Sequence, residues 1–139
     1  MKFLLDTNII SELLKPNPNP LVIRWINRYE QVDLFISVLT LGEIRKGIDK
    51  LVYSKRKLNL AIWFENDVLR KFESNILNID LAISLRWGYI KAVNEMNGIK
   101  LPVIDSLIAC TAIEHNLILA TRNTKDFFNT GCNLFNPWE

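Results

Sequence analysis

The feature that most limits this chain is a rhythm: short apolar runs, each followed by a longer stretch with helical spacing. The short runs are Phe3-Leu4-Leu5, Leu34-Phe35-Ile36, Ile76-Leu77-Asn78-Ile79, Leu117-Ile118-Leu119-Ala120 and Asn133-Leu134-Phe135. Between them the pattern predicts helices over about 8–15, 20–31, 39–52, 55–74, 80–97 and from Pro102 to His115, with a short helix after Asn123. Pro16 stops the first helix and opens a rigid Pro16-Asn17-Pro18-Asn19-Pro20 loop. Ala61, Phe64, Val68 and Phe72 recur at helical spacing, and Ala82, Leu85, Tyr89, Val93 and Met96 share one face of the next helix, which Gly98 ends. Strands that are apolar throughout and alternate with helices build a parallel sheet covered on both faces. A chain of 139 residues suits one such domain, 1–139, with no repeat or linker interrupting it.

Several function classes fall away on residue types alone. The longest apolar run is five residues, Leu60 to Phe64, far short of the roughly 18 that span a bilayer. The opening Met1-Lys2-Phe3-Leu4-Leu5 is cut by Asp6 before it reaches the length of a signal peptide, so a cytoplasmic protein is expected. Two cysteines, Cys110 and Cys132, make neither a disulfide framework nor a four-thiolate zinc site, and Cys110 reads as a small core residue. The single histidine, His115, excludes every metal site that needs two. No Gly-x-Ser-x-Gly elbow is present, and Gly42 and Gly47 have phosphate-loop spacing but are followed by Ile48-Asp49 rather than Lys and Ser/Thr.

In open parallel sheets ligands gather outside the carboxyl ends of the strands. Asp6 follows the first strand there, Asn123 follows the fourth, and Glu43 and Asp105 fall in the opening turns of two helices. Each has a structural reading. Asp6 caps the next helix, Thr40-x-x-Glu43 fits a capping box, Asp105 suits a helix dipole, and Asn123 with Asp126 marks a helix entry. Together they crowd three or four acids at one sheet edge, where like charges repel unless a cation lies between them. With so little His or Cys, the fitting cation is a hard one held by oxygen, Mg²⁺ or Mn²⁺, which suits phosphoryl chemistry. Thr7, Asn8, Ser37 and Thr121 stand beside the acids, where they orient carboxylates or water, or make turns and caps. Arg122 contacts phosphate or neutralises the acidic edge. Between Arg45 and Lys57 lie six basic residues and one acid, Asp49, the pattern of a solvated helix face or of a phosphate-backbone contact.

The order of these motifs resembles a known family. Asp6-Thr7-Asn8-Ile9-Ile10-Ser11-Glu12, Ser37-Val38-Leu39-Thr40-Leu41-Gly42-Glu43, Leu101-Pro102-Val103-Ile104-Asp105 running to Ala112, and Thr121-Arg122-Asn123-x-x-Asp126-Phe127 are similar to the PIN-domain ribonucleases. Within them the chain resembles the VapC toxins of VapBC toxin–antitoxin pairs, in the FitB-like branch, as far as the closing Asn136-Pro137-Trp138. That resemblance implies a PIN-like three-layer α/β/α sandwich around a mostly parallel sheet of four or five strands. It implies a Mg²⁺- or Mn²⁺-dependent endoribonuclease with Asp6, Glu43 and Asp105 as metal-holding acids. Asn123 stands where the family often has a fourth acid, and Asp126, one turn on, can supply that charge. The resemblance further implies a homodimer, RNA met by Arg45, Lys46 and Arg122, and a VapB-like antitoxin lying across the active-site side. The helical arm of about 39–74, with Trp63 and Phe64, offers a groove for the antitoxin or packs on the sheet.

Other classes make demands on the same residues. An aspartyl phosphatase wants a second Asp two residues after Asp6, where Asn8 stands. A receiver domain wants a phosphorylated Asp after the middle strand, and only Asp80 lies near that place. A PIN-like module that binds RNA or protein without cutting is kept open by Asn123.

Overall fold

The computed structural model describes residues 1–139. Five strands form one sheet: β1 (Phe3–Leu5), β2 (Leu34–Ser37), β3 (Ile76–Leu77), β4 (Ile118–Ala120) and β5 (Leu134–Phe135). They run in the order β3-β2-β1-β4-β5, and every pairing is parallel. Six helices connect them: α1 (Thr7–Leu13), α2 (Pro20–Ile26), α3 (Val38–Asp49), α4 (Lys55–Trp63), α5 (Leu81–Met96) and α6 (Val103–Glu114).

The pleat of β1 sets the layers. Successive strand residues point to opposite faces, so Phe3 and Leu5 pack with Ile9, Ile10, Trp25, Leu41, Ile44 and Ile48 from α1, α2 and α3 and with Phe64 and Val68 just after α4. Leu4, between them, packs the other way against Ile108, Ala109 and Ala112 of α6. α5 lies outside α6, joined through Ile83, Ile90, Leu101 and Cys110. Both faces of the sheet are therefore covered, and the three-layer expectation holds. Cys110 is fully buried among these side chains, and burial pushes its thiol up to about 11.

Local chemistry moves several boundaries. The helix expected over 20–31 ends at Ile26, and a 3₁₀ turn over Gln31–Asp33 leads into β2. α3 begins at Val38 because Ser37 is already extended and its Oγ accepts a 3.1 Å bond from the Leu39 backbone N–H. The Thr40–Glu43 capping box is thus corrected: Thr40 is inside the helix, fully buried, and its hydroxyl has no partner. The helix expected over 55–74 is α-helical only to Trp63 and widens into a π-helical stretch over Phe64–Leu69. Apolar residues spaced strictly by four drift round an α-helix of 3.6 residues per turn. The wider turn takes up that drift and keeps Phe64, Val68 and Phe72 buried, while Ala61 is exposed. Phe64 therefore belongs to the core, and Trp63 is half-buried against it.

The apolar face read on 80–97 is real but turns outward. Leu85, Tyr89 and Met96 are 66%, 70% and 85% exposed. The face toward α6 carries Ile83, Ile90 and Asn94 instead. No helix is long and apolar enough to cross a membrane.

Candidate active site

From β1 the connections lead to β2 and β3 on one side and then return to β4 and β5 on the other. β1 and β4 are thus the neighbours at which the sheet order reverses, where open sheets place their ligand crevice. A cleft of about 360 Å³ opens there, lined by acids, amides, hydroxyls and the cations Lys15 and Arg122, with Trp138 as its only hydrophobic wall.

Asp6 leaves β1 and enters α1 as its N-cap, its Oδ1 accepting a 2.8 Å bond from the Thr7 backbone N–H. Its Oδ2 accepts from the Thr121 hydroxyl at 2.8 Å, just beyond the end of β4. The Asn8 amide donates to that same hydroxyl at 3.2 Å and to Asp6 Oδ2 at 3.4 Å. Thr121 Oγ1 also accepts the Asn123 backbone N–H at 3.1 Å, and Asn8 Oδ1 accepts the Arg122 backbone N–H at 3.3 Å. The Thr7, Asn8 and Thr121 side chains are each hydrogen-bonded to an acid of the cleft. Ser37 does not reach it; its hydroxyl is spent on α3.

Glu43 projects from the second turn of α3 and accepts a 2.8 Å bond from the Thr7 hydroxyl. Asp105 lies in the first turn of α6 and lines the cleft. Burial pushes its carboxyl up to about 6, with further upward pushes from Asp6, Asp126 and Glu43. Burial also raises the Asp6 carboxyl, against the lowering bonds from Thr121 and Thr7, and Glu43 and Asp126 add to the rise. Four acids are therefore electrostatically coupled. Asn123 lines the cleft, whereas Asp126 is exposed on a 3₁₀ turn (Thr124–Phe127) and acts on the others through its charge.

The residues present fit a hard divalent cation. The donor set is all oxygen, and two carboxyls are held above their ordinary range by burial and mutual repulsion, which a cation relieves. The acids do not close round a single point by themselves; Thr7 holds Glu43 in place.

The basic residues separate. Arg45 is on the exposed face of α3, ion-paired to Asp49 at 2.9 Å, and Lys46 is exposed beside it; neither lines the cleft. Lys57 is occupied by the carbonyls of Asp49 and Leu51. Arg56 and Lys15 instead line a groove of about 420 Å³ that continues from Thr7, Ser11 and Glu43 between α1, α3 and α4. Arg122 does line the cleft. Four lining residues, Ser11, Glu12, Lys15 and Trp138, lie outside the expected site residues. The available signal was Glu12, a charge on the apolar side of a helix that also carries Ile9 and Ile10.

An acidic cleft at the switch point of a parallel sheet defines an α/β protein with its candidate chemistry at the carboxyl ends of the strands. The PIN-domain family model matches residues 3–131, and the chain belongs to that family. It is 36% identical over 135 residues to toxin FitB of Neisseria gonorrhoeae (strain ATCC 700825 / FA 1090), covering 97% of both chains. It is 34% identical over 135 residues to VapC ribonuclease Y4jK of Sinorhizobium fredii (strain NBRC 101917 / NGR234), covering 97% of this chain and 96% of that one. Among solved structures, FitAcB from Neisseria gonorrhoeae superposes with a TM-score of 0.93 at 36% identity, covering 99% of each chain. Divalent-metal dependence is general in the family.

Proposed function

We propose that this chain is the toxin of a type II toxin–antitoxin pair, acting as a Mg²⁺- or Mn²⁺-dependent endoribonuclease in the cytoplasm. The observation that carries the reading is the convergence of Asp6, Glu43 and Asp105 on one cleft at the switch point, with the Thr121 hydroxyl bonded to Asp6 and the Thr7 hydroxyl to Glu43. The similarity to a toxin and to a ribonuclease over nearly the whole chain gives that chemistry its substrate class.

Asp6, Asp105 and Glu43 would hold the cation. When bound, it supplies a nucleophilic water at neutral pH and charge neutralisation at the phosphodiester. The protein's part is placement. Thr121 and the Thr7 backbone fix the two oxygens of Asp6, and Thr7 through its hydroxyl aims Glu43. Asp126 and Asn123 complete the acidic rim, with Asp126 giving the charge that Asn123 lacks. Arg122 offers a guanidinium to the RNA phosphates, and the groove lined by Lys15 and Arg56 continues the basic path that the sequence had placed at Arg45 and Lys46.

The partners in this reading are RNA, a VapB-like antitoxin and a second copy of the chain. We place the dimer surface on the outer face of α5. Its exposed residues, Leu81, Ala82, Ser84, Leu85, Gly88, Tyr89, Ala92, Val93 and Met96, include no charge, and Glu95 beside them turns to Lys91 at 3.6 Å. An antiparallel two-fold between Gly88 and Tyr89 would set each Tyr89 over the partner's Gly88 and each Leu85 over the partner's Ala92, large against small.

Cleavage of total cellular RNA by antitoxin-free protein in Mg²⁺, in Mn²⁺ and in EDTA tests the enzyme, with Asp105→Asn run alongside. Discrete fragments that need both metal and Asp105 are expected. Intact RNA with a folded, metal-binding wild type points instead to the binding module that Asn123 kept open.

A further inference from the structure

Glu12 is a buried carboxylate that the hydrolytic site does not need. It lies on the inner side of α1, 4% exposed. Lys15 Nζ donates to it at 3.1 Å, the Asn19 backbone N–H at 3.2 Å and the Trp138 indole N–H at 3.2 Å. The last bond joins residues 126 apart in sequence. A buried carboxylate with three donors is a rigid anchor, since removing one partner leaves charge without compensation. The Trp138 backbone N–H is tied in turn to Asn136 Oδ1 at 2.9 Å, so both the chain and the ring are fixed.

The ring carries Arg122. The guanidinium carbon is 5.5 Å from the centroid of Trp138, within cation–π range. Arg122 shares the cleft with Asp6, Glu43 and Asp105 yet ion-pairs with none of them. An arginine free to swing would find a carboxylate. Held on an aromatic face, it is kept clear of the acids with its fork of donors free, and that fork matches phosphate geometry.

We infer that Glu12 and Trp138 are positioning residues: they hold Arg122 at the mouth of the acidic cleft, where it grips one phosphate of a single-stranded RNA. The inference rests on the RNA-binding half of the reading above and not on cleavage.

The test is anisotropy of a short fluorescein-labelled single-stranded RNA across a salt series, with Ca²⁺ replacing Mg²⁺ and the RNA checked for intactness on a gel. Arg122→Ala is expected to weaken binding about tenfold and to lower the slope of log K against log salt by about 0.7, the value for one phosphate contact on a single strand. Glu12→Ala and Trp138→Ala are expected to lose part of the same slope. The Arg122→Ala/Trp138→Ala double variant should bind no more weakly than Arg122→Ala alone, because the ring acts only through the arginine. Trp138→Phe keeps an aromatic ring but is smaller and lacks the N–H to Glu12; it carries the comparison if Glu12→Ala or Trp138→Ala melts early, and it too should lose part of the slope. Fully additive losses in the double variant, a slope unmoved by Arg122→Ala or by Trp138→Phe, or no RNA binding by the wild type would each overturn the inference. Wild-type protein that binds RNA with the expected slopes but leaves it uncut in Mg²⁺ sinks the nuclease reading alone.

Discussion

The Thr121 hydroxyl donates a 2.8 Å hydrogen bond to Asp6 Oδ2, joining the ends of two neighbouring strands across 115 residues of sequence. That bond is the site's keystone. Thr121 is fully buried and Asp6 is only 6% exposed, so the bond is shielded from solvent on the Thr121 side. Thr121→Val keeps the shape but removes the donor to Asp6 together with the acceptor of the Asn8 amide and the Asn123 backbone N–H. A hydrogen bond to a charged group contributes about 1.5–3 kcal/mol, and urea unfolding of metal-free protein at neutral pH should show a loss of that order. The bond also lowers the Asp6 carboxyl. Without it the group ionises at higher pH, and the onset of Mn²⁺ binding in calorimetric titrations should move to higher pH. A variant with wild-type stability and an unmoved onset would show the bond to be incidental.

Asp105 makes a prediction whose sign depends on pH. Its carboxyl is raised from an ordinary value of 3.8 to about 6. A group raised on folding stabilises the fold below its unfolded pKa, and that contribution is lost as pH climbs through the folded value. At pH 7.5 the ionised side chain is therefore a burden to the metal-free protein. Asp105→Asn should raise stability in EDTA at that pH by about 1–2 kcal/mol, a figure discounted for partial exposure. Near pH 4 the gain should disappear. Thermal melts at the two pH values decide it, and a variant equally or less stable at pH 7.5 refutes the crowding of acids.

The same acids should respond in the opposite sense to a cation. A ligand that binds only the folded state stabilises it, by about 2.7 kcal/mol at a hundredfold excess over its dissociation constant. Mg²⁺ or Mn²⁺ should raise the melting temperature of the wild type and barely move Asp6→Asn. Asn123→Asp adds a carboxylate to the cleft. It should lower stability in EDTA, tighten Mn²⁺ binding and steepen the stabilisation by metal. Equal metal responses in all three proteins would mean that the ion binds elsewhere.

What the sequence made legible follows from what repeats locally. Strand runs, helix stops at Pro16 and Gly98, and acids placed just after strands are short-range signals, and a parallel sheet then puts those acids on one edge by necessity. Two kinds of feature escaped. Cap geometry is a competition between adjacent residues: Ser37 and Thr40 both suit an N-cap, and only the extended backbone at Ser37 decides for the earlier one. Long-range partners are the other kind. Nothing near Glu12 in sequence announces Trp138, and Arg45 reads as a free cation until Asp49 is seen to hold it. The outward turn of the α5 stripe had the same origin, since a 3.6-residue period gives the face without saying what faces it.

Gly88 offers the sharpest test of that face. A methyl group added at Gly88 meets nothing within 4 Å, so the monomer's own packing does not require glycine there. Glycine in a helix interior costs about 1 kcal/mol relative to alanine. Gly88→Ala should therefore stabilise an isolated chain by about that amount. In an antiparallel α5 pair the added methyl meets the partner's Tyr89, and the dimer should weaken. The two effects separate by concentration: the variant should melt higher than wild type in dilute solution and sediment more as monomer in concentrated solution. Tyr89→Glu, which sets two like charges near the two-fold, should give monomer throughout with the fold intact. Unchanged association in both variants would place the dimer contact on another surface.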